Sequence, residues 1–484
     1  MKANEPEHFP QRKVLAKAMS FRHYLGLGIG SIIGVGWVVV AGDWLVRGGP
    51  LGAILGFVLG GLLLIFIGLC YAELTPAIPV AGGEVAFAYK AFGSGISFLT
   101  GWFLSFAYIA ICPFEAVAIG WIIEYLIPGL KLKPLYVFGG NPVSLVSIGA
   151  GVIASVFIIG INYLGVKNSA RFQAITTSLI FVCVAIFTVV AVVKGDFSNM
   201  TPLFAGGGGT SIAVLGSLIA ILGIVPFYYS GFDTIPQGAE ESGRKLDPRH
   251  LGRAIIVSIL IGAAFYGVVI LALSVCMPWK EILKFDLPTA NAFRVAFGYD
   301  WAAKLVLLAA FFGLITSFNG FFIASTRVVF ASGRGGLLPK WFGDVDEKHQ
   351  TPKNAILFVG LLTLIGPFIG RSSLLPIVNV ASFAFISGWF ITCLSCIKLR
   401  KSAPDLKRPY KVKFKIIMYL GAAIAAGIIV MMVFPGSSAQ LKWPLEYIIV
   451  AVWVVLGYAG YRWRKAKKDM THEERAYQIL GEYR

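Results

Sequence analysis

Residues 28–37 read GIGSIIGVGW and lie inside the first long apolar segment of the chain. The stretch holds four glycines, and each weakens a helix by roughly 1 kcal/mol relative to alanine. Unpaired backbone groups are costly in hydrocarbon, so irregular backbone survives inside a membrane only where it lines a cavity. The stretch therefore predicts a broken membrane helix beside a cavity, with close packing of two helices as the alternative use of the glycines.

The composition is that of a membrane protein. Of 484 residues, 57% are hydrophobic and 14% are charged, and apolar runs long enough to cross a bilayer recur along the whole chain. This is typical of a polytopic α-helical protein, because a β-barrel would show short alternating segments instead. The formal net charge is +18, but the basic residues collect in one set of loops, as expected on the cytoplasmic side. The charge therefore indicates membrane orientation, with both termini inside, and not nucleic-acid binding.

The apolar segments predict about twelve transmembrane helices, numbered here as spans 1 to 12. They cover residues 23–46, 51–73, 96–126, 143–163, 172–194, 211–239, 252–277, 301–330, 354–370, 374–397, 415–434 and 445–463. The chain is accordingly divided into a cytosolic tail (1–22), a core (23–397), helices 11 and 12 (398–463) and a second cytosolic tail (464–484).

A second interruption is predicted in span 6, where residues 226–233 read PFYYSGFD. Pro226 removes a backbone donor, and Gly231 permits an unwound turn. Interrupted helices at matching places in two halves of a chain are typical of inverted-repeat transporters, whose binding site lies between the repeats. The pair of breaks favours a cavity over close packing as the reason for the glycines in span 1.

The two breaks would present complementary backbone groups to one ligand. Free N–H groups on residues 35–37, at the start of the outer half of span 1, suit a carboxylate. Free carbonyls on residues 32–33 and 227–228, where the adjoining half-helices end, suit an ammonium group or a small cation. An α-amino acid carries both groups close together.

Several motifs besides the first break resemble those of the amino acid–polyamine–organocation superfamily, over nearly the whole chain. They are YAEL (71–74), PVAGGE (79–84), GFD (231–233) followed by AEE (239–241), STR (325–327), GLLP (336–339) and TP (351–352). The resemblance implies an all-α membrane protein with a 5+5 inverted repeat (23–194 and 211–397), broken helices 1 and 6, and two peripheral helices. It also implies alternating-access transport of amino acids or related amines, with residues 33–36 at the substrate backbone and Phe227 as an aromatic gate.

The sequence departs from the superfamily pattern in two places. Many members carry a lysine in the middle of span 5, whereas residues 174–180 read AITTSLI and Lys167 precedes the span. Many cationic amino acid carriers have a glutamate before the tyrosine of span 3, whereas Ala107 precedes Tyr108 here.

The candidate substrate-binding residues are Ile32, Ile33, Gly34, Val35, Gly36, Tyr108, Phe227, Tyr228, Ser230 and Gly231.

Buried acids and hydroxyls mark a second set of candidates, for coupling or amine binding. Charged groups at mid-membrane are costly and are functional candidates by default. Glu115 lies near the middle of span 3, and Asp233 begins the inner half of span 6. The alternatives are a helix cap for Asp233, and a cap or an interhelical hydrogen bond for Glu115. Span 8 adds Thr316, Ser317 and Asn319, which either ligate sodium or form interhelical hydrogen bonds.

Four further acids are predicted to form salt bridges at gates or in loops. Glu73 and Glu84 flank the inner loop after span 2, and Glu240 and Glu241 follow span 6. A position at a loop or a span end favours pairing with arginine or lysine over contact with a substrate.

The sequence therefore predicts a secondary active transporter of an amino acid in the plasma (inner) membrane, driven by protons or working by exchange. The alternatives are a carrier of a small organic amine such as ethanolamine or a polyamine, a sodium-coupled symporter, and a non-transporting nutrient receptor or accessory membrane subunit. The expected partners are the small-molecule substrate, a proton or a sodium ion, and the lipid bilayer. No enzyme motif, cofactor site or metal site is predicted.

Overall fold

The fold is almost wholly helical over the residues that the computed structural model describes, which are 10–127, 133–207, 210–285, 287–370, 372, 374–467 and 470–483. Among these residues, the strands β1 (Tyr136–Phe138) and β2 (Asn141–Val143) form an antiparallel pair in the loop after span 3.

The first half of the chain holds both pieces of the glycine-rich segment. Its helices are α1 (Phe21–Ile32), α2 (Gly36–Val39), α3 (Ala41–Ala77), α4 (Glu84–Phe92), α5 (Ser94–Leu126), α6 (Leu145–Tyr163) and α7 (Val166–Lys194). Helix α3 combines the end of span 1 with span 2, and the chain turns between these two pieces at Gly49, with a φ of 66°. A Cβ on Gly49 would lie 2.6 Å from the backbone of Ala205, so the turn requires glycine.

The second half begins with the other interrupted segment. Its helices are α8 (Ser211–Leu222), α9 (Val225–Tyr229), a 3₁₀ turn (Ser230–Asp233), α10 (Thr234–Gln237), α11 (Arg249–Cys276), α12 (Trp279–Ile282), α13 (Pro288–Phe297), α14 (Asp300–Arg334), α15 (Lys353–Ile369) and α16 (Leu374–Ser402). The chain continues through α17 (Ile416–Val433), α18 (Leu445–Lys467) and α19 (His472–Leu480).

The all-α membrane class is confirmed, but the count of twelve spans is not. Nine helices of the described residues are long and apolar enough to cross a membrane, and α8 with the segment Val225–Gln237, bent by 44°, makes a tenth. Two predicted spans fall outside this count for physical reasons. Span 1 is divided at its glycines, and α15 has only 17 residues.

Burial decreases from the centre of the helical bundle to its edge. In α14, 78% of the most apolar window is buried, against 11% in α18, whose apolar residues face outward. The divided segment α1–α2 is central, since Ile33 and Trp37 are fully buried. The breaks in the backbone therefore lie in the interior of the bundle, where other protein groups surround them.

Candidate functional site

The break in span 1 lies at residues 33–35, between α1 and α2. Among the hydrogen bonds of the described residues, none uses the backbone N–H of Val35, Gly36 or Trp37 as a donor. The carbonyls of Ile33 and Gly34 face α14, since a Cβ on Gly313 would lie 3.1 and 3.0 Å from their oxygens. The N–H groups of the break are thus available to a ligand, while these two carbonyls are directed at a neighbouring helix.

The bend in span 6 lies earlier than the sequence predicted. The chain bends by 44° between Leu222 and Val225, and the segment 226–233 continues as short helical turns. Pro226 occupies the first turn of α9, where its missing N–H is not needed, so it begins a helix and does not end one. A Cβ on Gly231 would collide with the backbone of Ser31 and Ile32, so the 3₁₀ turn rests directly on the end of α1.

A small cavity of about 20 Å³ lies between the two interrupted segments. Of the candidates from the sequence, those that line it are Ile32, Gly34, Val35, Gly36, Glu115, Phe227, Tyr228 and Ser317. Those outside its lining are Ile33, Tyr108, Ser230, Gly231, Asp233, Thr316 and Asn319. The remaining lining residues are Ser31, Ile111, Phe114, Tyr266 and Phe321.

Aromatic rings form one wall of the cavity. Phe227 packs edge-on against Phe114 and Tyr228, with ring centroids 5.5 and 5.1 Å apart. Tyr228 in turn contacts Trp44 at 4.8 Å. A Cβ on Gly36 would lie 2.6 Å from the Tyr228 ring, so any side chain there would displace a wall of the cavity.

Tyr266 on α11 joins the two interrupted segments and was missed by the sequence analysis. Its hydroxyl donates to the carbonyl oxygen of Ile32 at 2.6 Å and lies 3.2 Å from that of Tyr228. Two of the four carbonyls predicted to be free, those of Ile32 and Tyr228, are therefore already engaged by a tyrosine. Its position as the one tyrosine of an apolar span could have marked it as a candidate, but its partners Ile32 and Tyr228 lie far away in the sequence.

Glu115 places a carboxyl group against the break in span 1. Its Oε1 accepts a hydrogen bond of 2.5 Å from Ser317, while its Oε2 is buried and has no partner among the described residues. A Cβ on Gly34 would lie 3.1 Å from Oε1. The carboxyl thus offers one unoccupied oxygen beside the cavity, in a place where a donor from a ligand would satisfy it.

Asn319 belongs to a separate group of side chains, defined here as the amide network: Asn162, Ser169, Gln173 and Asn319. The Asn319 carbonyl accepts from Asn162 at 2.8 Å and from Ser169 at 2.9 Å, and its amide nitrogen donates to Gln173 at 2.9 Å. The amide nitrogen of Gln173 donates to the backbone oxygen of Thr316 at 2.8 Å. The Thr316 hydroxyl donates within its own helix, to Gly313 at 2.9 Å. The Asn319 oxygen expected to ligate sodium is therefore already occupied as an acceptor, whereas the Thr316 hydroxyl, within the part of the chain that the structure describes, only donates and keeps its lone pairs.

Asp233 does not cap a helix. No side-chain cap hydrogen bond is made at the start of α10, and Asp233 Oδ2 instead accepts from the indole N–H of Trp389 at 2.6 Å. The Tyr108 hydroxyl donates to the Asp233 backbone oxygen at 3.2 Å. Both side chains therefore belong to a polar group next to the cavity and do not form its wall.

Buried ion pairs close the end of the bundle that carries the N-terminal segment. Glu240 pairs with Arg334 and Arg12, each at 2.8 Å, and Glu241 pairs with Arg327 at 2.7 Å. Burial opposes ionisation of Glu240, but the two guanidinium groups outweigh it and hold the pKa of this carboxyl well below its usual range. Pairing is thus confirmed for Glu240 and Glu241.

The acids after span 2 behave differently from each other. Glu73 pairs with Arg400 and Arg408, as predicted. Glu84 accepts a hydrogen bond from the amide of Gln237 and, among the described residues, forms no ion pair. The predicted salt bridge of Glu84 is therefore wrong, because α4 turns its first residue into the protein interior.

Comparison with known proteins agrees with this architecture. The sequence pattern of the amino acid permease family matches residues 19–456. The branched-chain amino acid permease BcaP of Bacillus subtilis is 29% identical over 90% of this chain and 90% of its own length. The methylthioribose transporter and the aspartate-proton symporter of B. subtilis are 28% and 27% identical, covering 93% and 96% of this chain and 93% and 88% of their own lengths.

The family match spans most of the chain, including both interrupted segments and the helices that surround the cavity. Proteins of this kind are multi-pass membrane transporters and not enzymes, in agreement with the many apolar helices. The chain belongs to the amino acid permease family, within the amino acid–polyamine–organocation superfamily.

Proposed function

We propose that the protein is a secondary active transporter that moves an α-amino acid across the plasma membrane by alternating access, driven by protons. The observation that carries this proposal is the cavity between the two interrupted segments. Free N–H groups of residues 35–37 border the break on one side, and the unpaired oxygen of Glu115 lies on the other. A carboxylate and an ammonium group on one carbon would satisfy both.

The lining of the cavity favours a small apolar amino acid. Apart from Glu115, the lining side chains are uncharged, and Ile111, Phe114 and Phe321 make much of the surface apolar. The volume of about 20 Å³ is far below the range of about 300–1,000 Å³ usual for small-molecule sites, so the surrounding helices must move apart to admit a substrate. The branched-chain amino acid permease among the relatives supports the same substrate class.

Protons fit the polar groups better than sodium does. Thr316 and Asn319 are engaged in hydrogen bonds, and Ser317 donates to Glu115. A sodium ion bound by Asn319 would have to displace the two hydrogen bonds that its carbonyl oxygen accepts, whereas the Thr316 and Ser317 hydroxyls, among the described residues, only donate and keep lone pairs for a cation. Buried carboxyls, in contrast, bind and release protons, and one relative is a proton symporter.

The two ends of the bundle support alternating access. The end near the N-terminal segment is closed by the ion pairs of Glu240 and Glu241. At the opposite end a wide cleft, lined by Val40, Trp121 and Leu375, lies beyond α2. No described residue that lines this cleft also lines the cavity, so the cleft stops short of the cavity, and an enclosed cavity is one stage that alternating access requires.

The proposed organisation is a core of two inverted repeats (23–194 and 211–397), two peripheral helices and two cytoplasmic termini. Arg12 donates to the backbone oxygen of Gln478 at 3.2 Å, which supports the two termini lying on the same side of the membrane. The basic loops favour the cytoplasm as that side.

A carrier of small organic amines is the second candidate. The unpaired oxygen of Glu115 favours it, since an amine without a carboxylate would need this group and not the N–H groups of the break. The two candidates differ in whether the ligand must carry a carboxylate.

The test is a thermal-stability screen of the purified protein, followed by uptake into proteoliposomes. A ligand at 100 times its Kd stabilises the folded state by about 2.7 kcal/mol, which a melting curve resolves. We expect leucine, valine or isoleucine to raise the melting temperature, and their decarboxylated amines to leave it unchanged. Stabilisation by ethanolamine, a polyamine or methylthioribose alone would contradict the proposal, and binding without uptake would indicate a receptor.

A further inference from the structure

A second group of polar side chains lies buried beside the 3₁₀ turn of span 6, outside the cavity. We define it as the acid-pair site. It combines side chains from α3, α4, α5, the turn, α10 and α16, namely Tyr71, Glu84, Tyr108, Asp233, Gln237 and Trp389. Glu84 and Asp233 are both fully buried and are linked by hydrogen bonds: the Gln237 amide nitrogen donates to Glu84 and, at 3.4 Å, to the Tyr108 hydroxyl, which donates to the backbone oxygen of Asp233.

The donors in this site satisfy only half of each carboxyl group. Trp389 donates to Asp233 Oδ2 at 2.6 Å, and Gln237 donates to Glu84 Oε2. Asp233 Oδ1 and Glu84 Oε1 are buried without a partner among the described residues, as are the amide oxygen of Gln237 and the hydroxyl of Tyr71. Unpartnered oxygens at one buried place indicate that a bound species is needed to satisfy them.

Arg327 does not neutralise Glu84 or Asp233. Arg327 is occupied by Glu241 and by the hydroxyl of Thr326, at 2.7 and 2.9 Å. Among the described ion pairs, none includes Glu84 or Asp233. Two neighbouring carboxylates in a buried site repel each other, so unless a cation is bound, one of the two carboxyl groups carries a proton.

We propose that Glu84 and Asp233 together hold the proton that is transported with the substrate, at a site separate from the substrate cavity. This rests on the proposed function, because it names the groups that couple the substrate to protons. The other titratable groups that face the pair are Tyr71 and Tyr108, and Cys393 of α16 lies near Tyr71. Burial raises the pKa of Glu84 to about 8, which agrees with a protonated pair at neutral pH.

The geometry also provides a connection between proton and substrate. Asp233 ends the same turn in which Gly231 rests on the end of α1, and Phe227 and Tyr228 just before that turn line the cavity. Closure of span 6 around a substrate therefore moves Asp233 relative to Glu84 on α4 and Trp389 on α16. Separation of the two carboxyl groups releases one proton, which passes to water on the cytoplasmic side and leaves both carboxyl groups ionised.

The first test measures protonation without transport. Infrared difference spectra of the purified protein between pH 7 and pH 10 report the carbonyl band of a protonated carboxyl group. The spectra are recorded in a Glu115→Gln background, because Glu115 is another buried carboxyl group that absorbs in the same region. In that background we expect the band to be present, and Glu84→Gln and Asp233→Asn to remove it, since each leaves a single carboxyl group without a repelling neighbour. Glu446→Gln is the matched control, since Glu446 is also buried but is bonded at 2.7 Å both to Asn379 and to the Lys442 N–H. A band that survives in both variants would overturn the proposal.

The second test measures coupling in proteoliposomes. We expect Glu84→Gln and Asp233→Asn to lower accumulation driven by an inward proton gradient by about tenfold or more, while exchange of internal for external substrate stays near the wild-type rate. Wild-type response in the variants, or a sodium requirement that the same variants remove, would overturn the proposal. If the wild type transports no amino acid, the proposed function fails, but the infrared test still decides whether the pair holds a proton.

Discussion

Two buried polar clusters include residues of α14, the amide network and the Ser317–Glu115 pair, and they differ in how completely their hydrogen bonds are satisfied. In the amide network, Asn319 has its carbonyl and its amide nitrogen bonded to Asn162, Ser169 and Gln173. Less than one turn away, Ser317 bonds to one oxygen of Glu115 and leaves the other without a partner beside the cavity. A closed network holds helices together, whereas an open one awaits a ligand. We therefore infer that the amide network stabilises the helix packing and that Glu115 binds the substrate.

The largest effect is expected on the cavity side of this comparison, at Gly36. A valine there would drive its side chain into Tyr228, which a Cβ alone would approach to 2.6 Å. We predict that Gly36→Val abolishes the substrate-induced rise in melting temperature while the protein still folds. Gly427→Val is the control, because a Cβ at Gly427 meets no atom within 4 Å. Full binding by Gly36→Val would separate the break from the substrate.

The next effect concerns the open carboxyl itself. Glu115→Gln removes a charged acceptor, and a hydrogen bond to a charged group is worth about 1.5–3 kcal/mol, so we expect the transport KM to rise about ten- to a hundredfold. The response to a proton gradient should persist, because the proton is assigned elsewhere. Initial rates over a range of substrate concentrations measure both. An unchanged KM would show that the unpaired oxygen does not serve the substrate.

A smaller effect is expected at the aromatic wall. Phe227 lies over the cavity against Phe114, and a ring at this place excludes water and attracts an ammonium group by about 0.5–2 kcal/mol. Phe227→Ala should raise KM several-fold, and Phe227→Tyr should change it little. Equal kinetics for Phe227→Ala and wild type would remove the ring from the binding site.

The smallest effect on transport is expected in the amide network. Asn319→Ala removes three hydrogen bonds and leaves the amide oxygen of Gln173 without its donor, and a buried unsatisfied group costs about 1–3 kcal/mol. We therefore predict a lower melting temperature with an unchanged KM and an unchanged response to the proton gradient. A changed KM with normal stability would reverse the roles assigned to the two clusters.

The sequence predicted the features that depend on local chemistry. The glycines of residues 28–37 placed the first break, because several helix-weakening residues close together in an apolar segment favour an interrupted helix. Features that depend on distant partners were not predictable. The bend of span 6 lies at residues 223–224 because Pro226 starts a helix, and this role of proline looks like a helix break in the sequence alone.

Pairing across the bundle was equally hidden in the sequence. Asp233 looks like a helix cap until Trp389, 156 residues later, is seen to donate to it. Gln173 precedes the segment that lacks a lysine, and only the fold shows its amide between α1 and α14, bonded to the backbone of Gly26 and Thr316. Such contacts follow from tertiary packing, which neither periodicity nor composition reveals.

The most direct test of the central claim is uptake of a branched-chain amino acid into proteoliposomes under defined ion gradients. We predict accumulation with an inward proton gradient and none with a sodium gradient alone, because buried carboxyl groups are available to bind protons, whereas the carbonyl oxygen of Asn319 already accepts two hydrogen bonds. The contradicting result is accumulation driven by sodium alone that Thr316→Ala combined with Ser317→Ala abolishes. The ion would then bind at the hydroxyls of α14, and coupling to protons would be wrong.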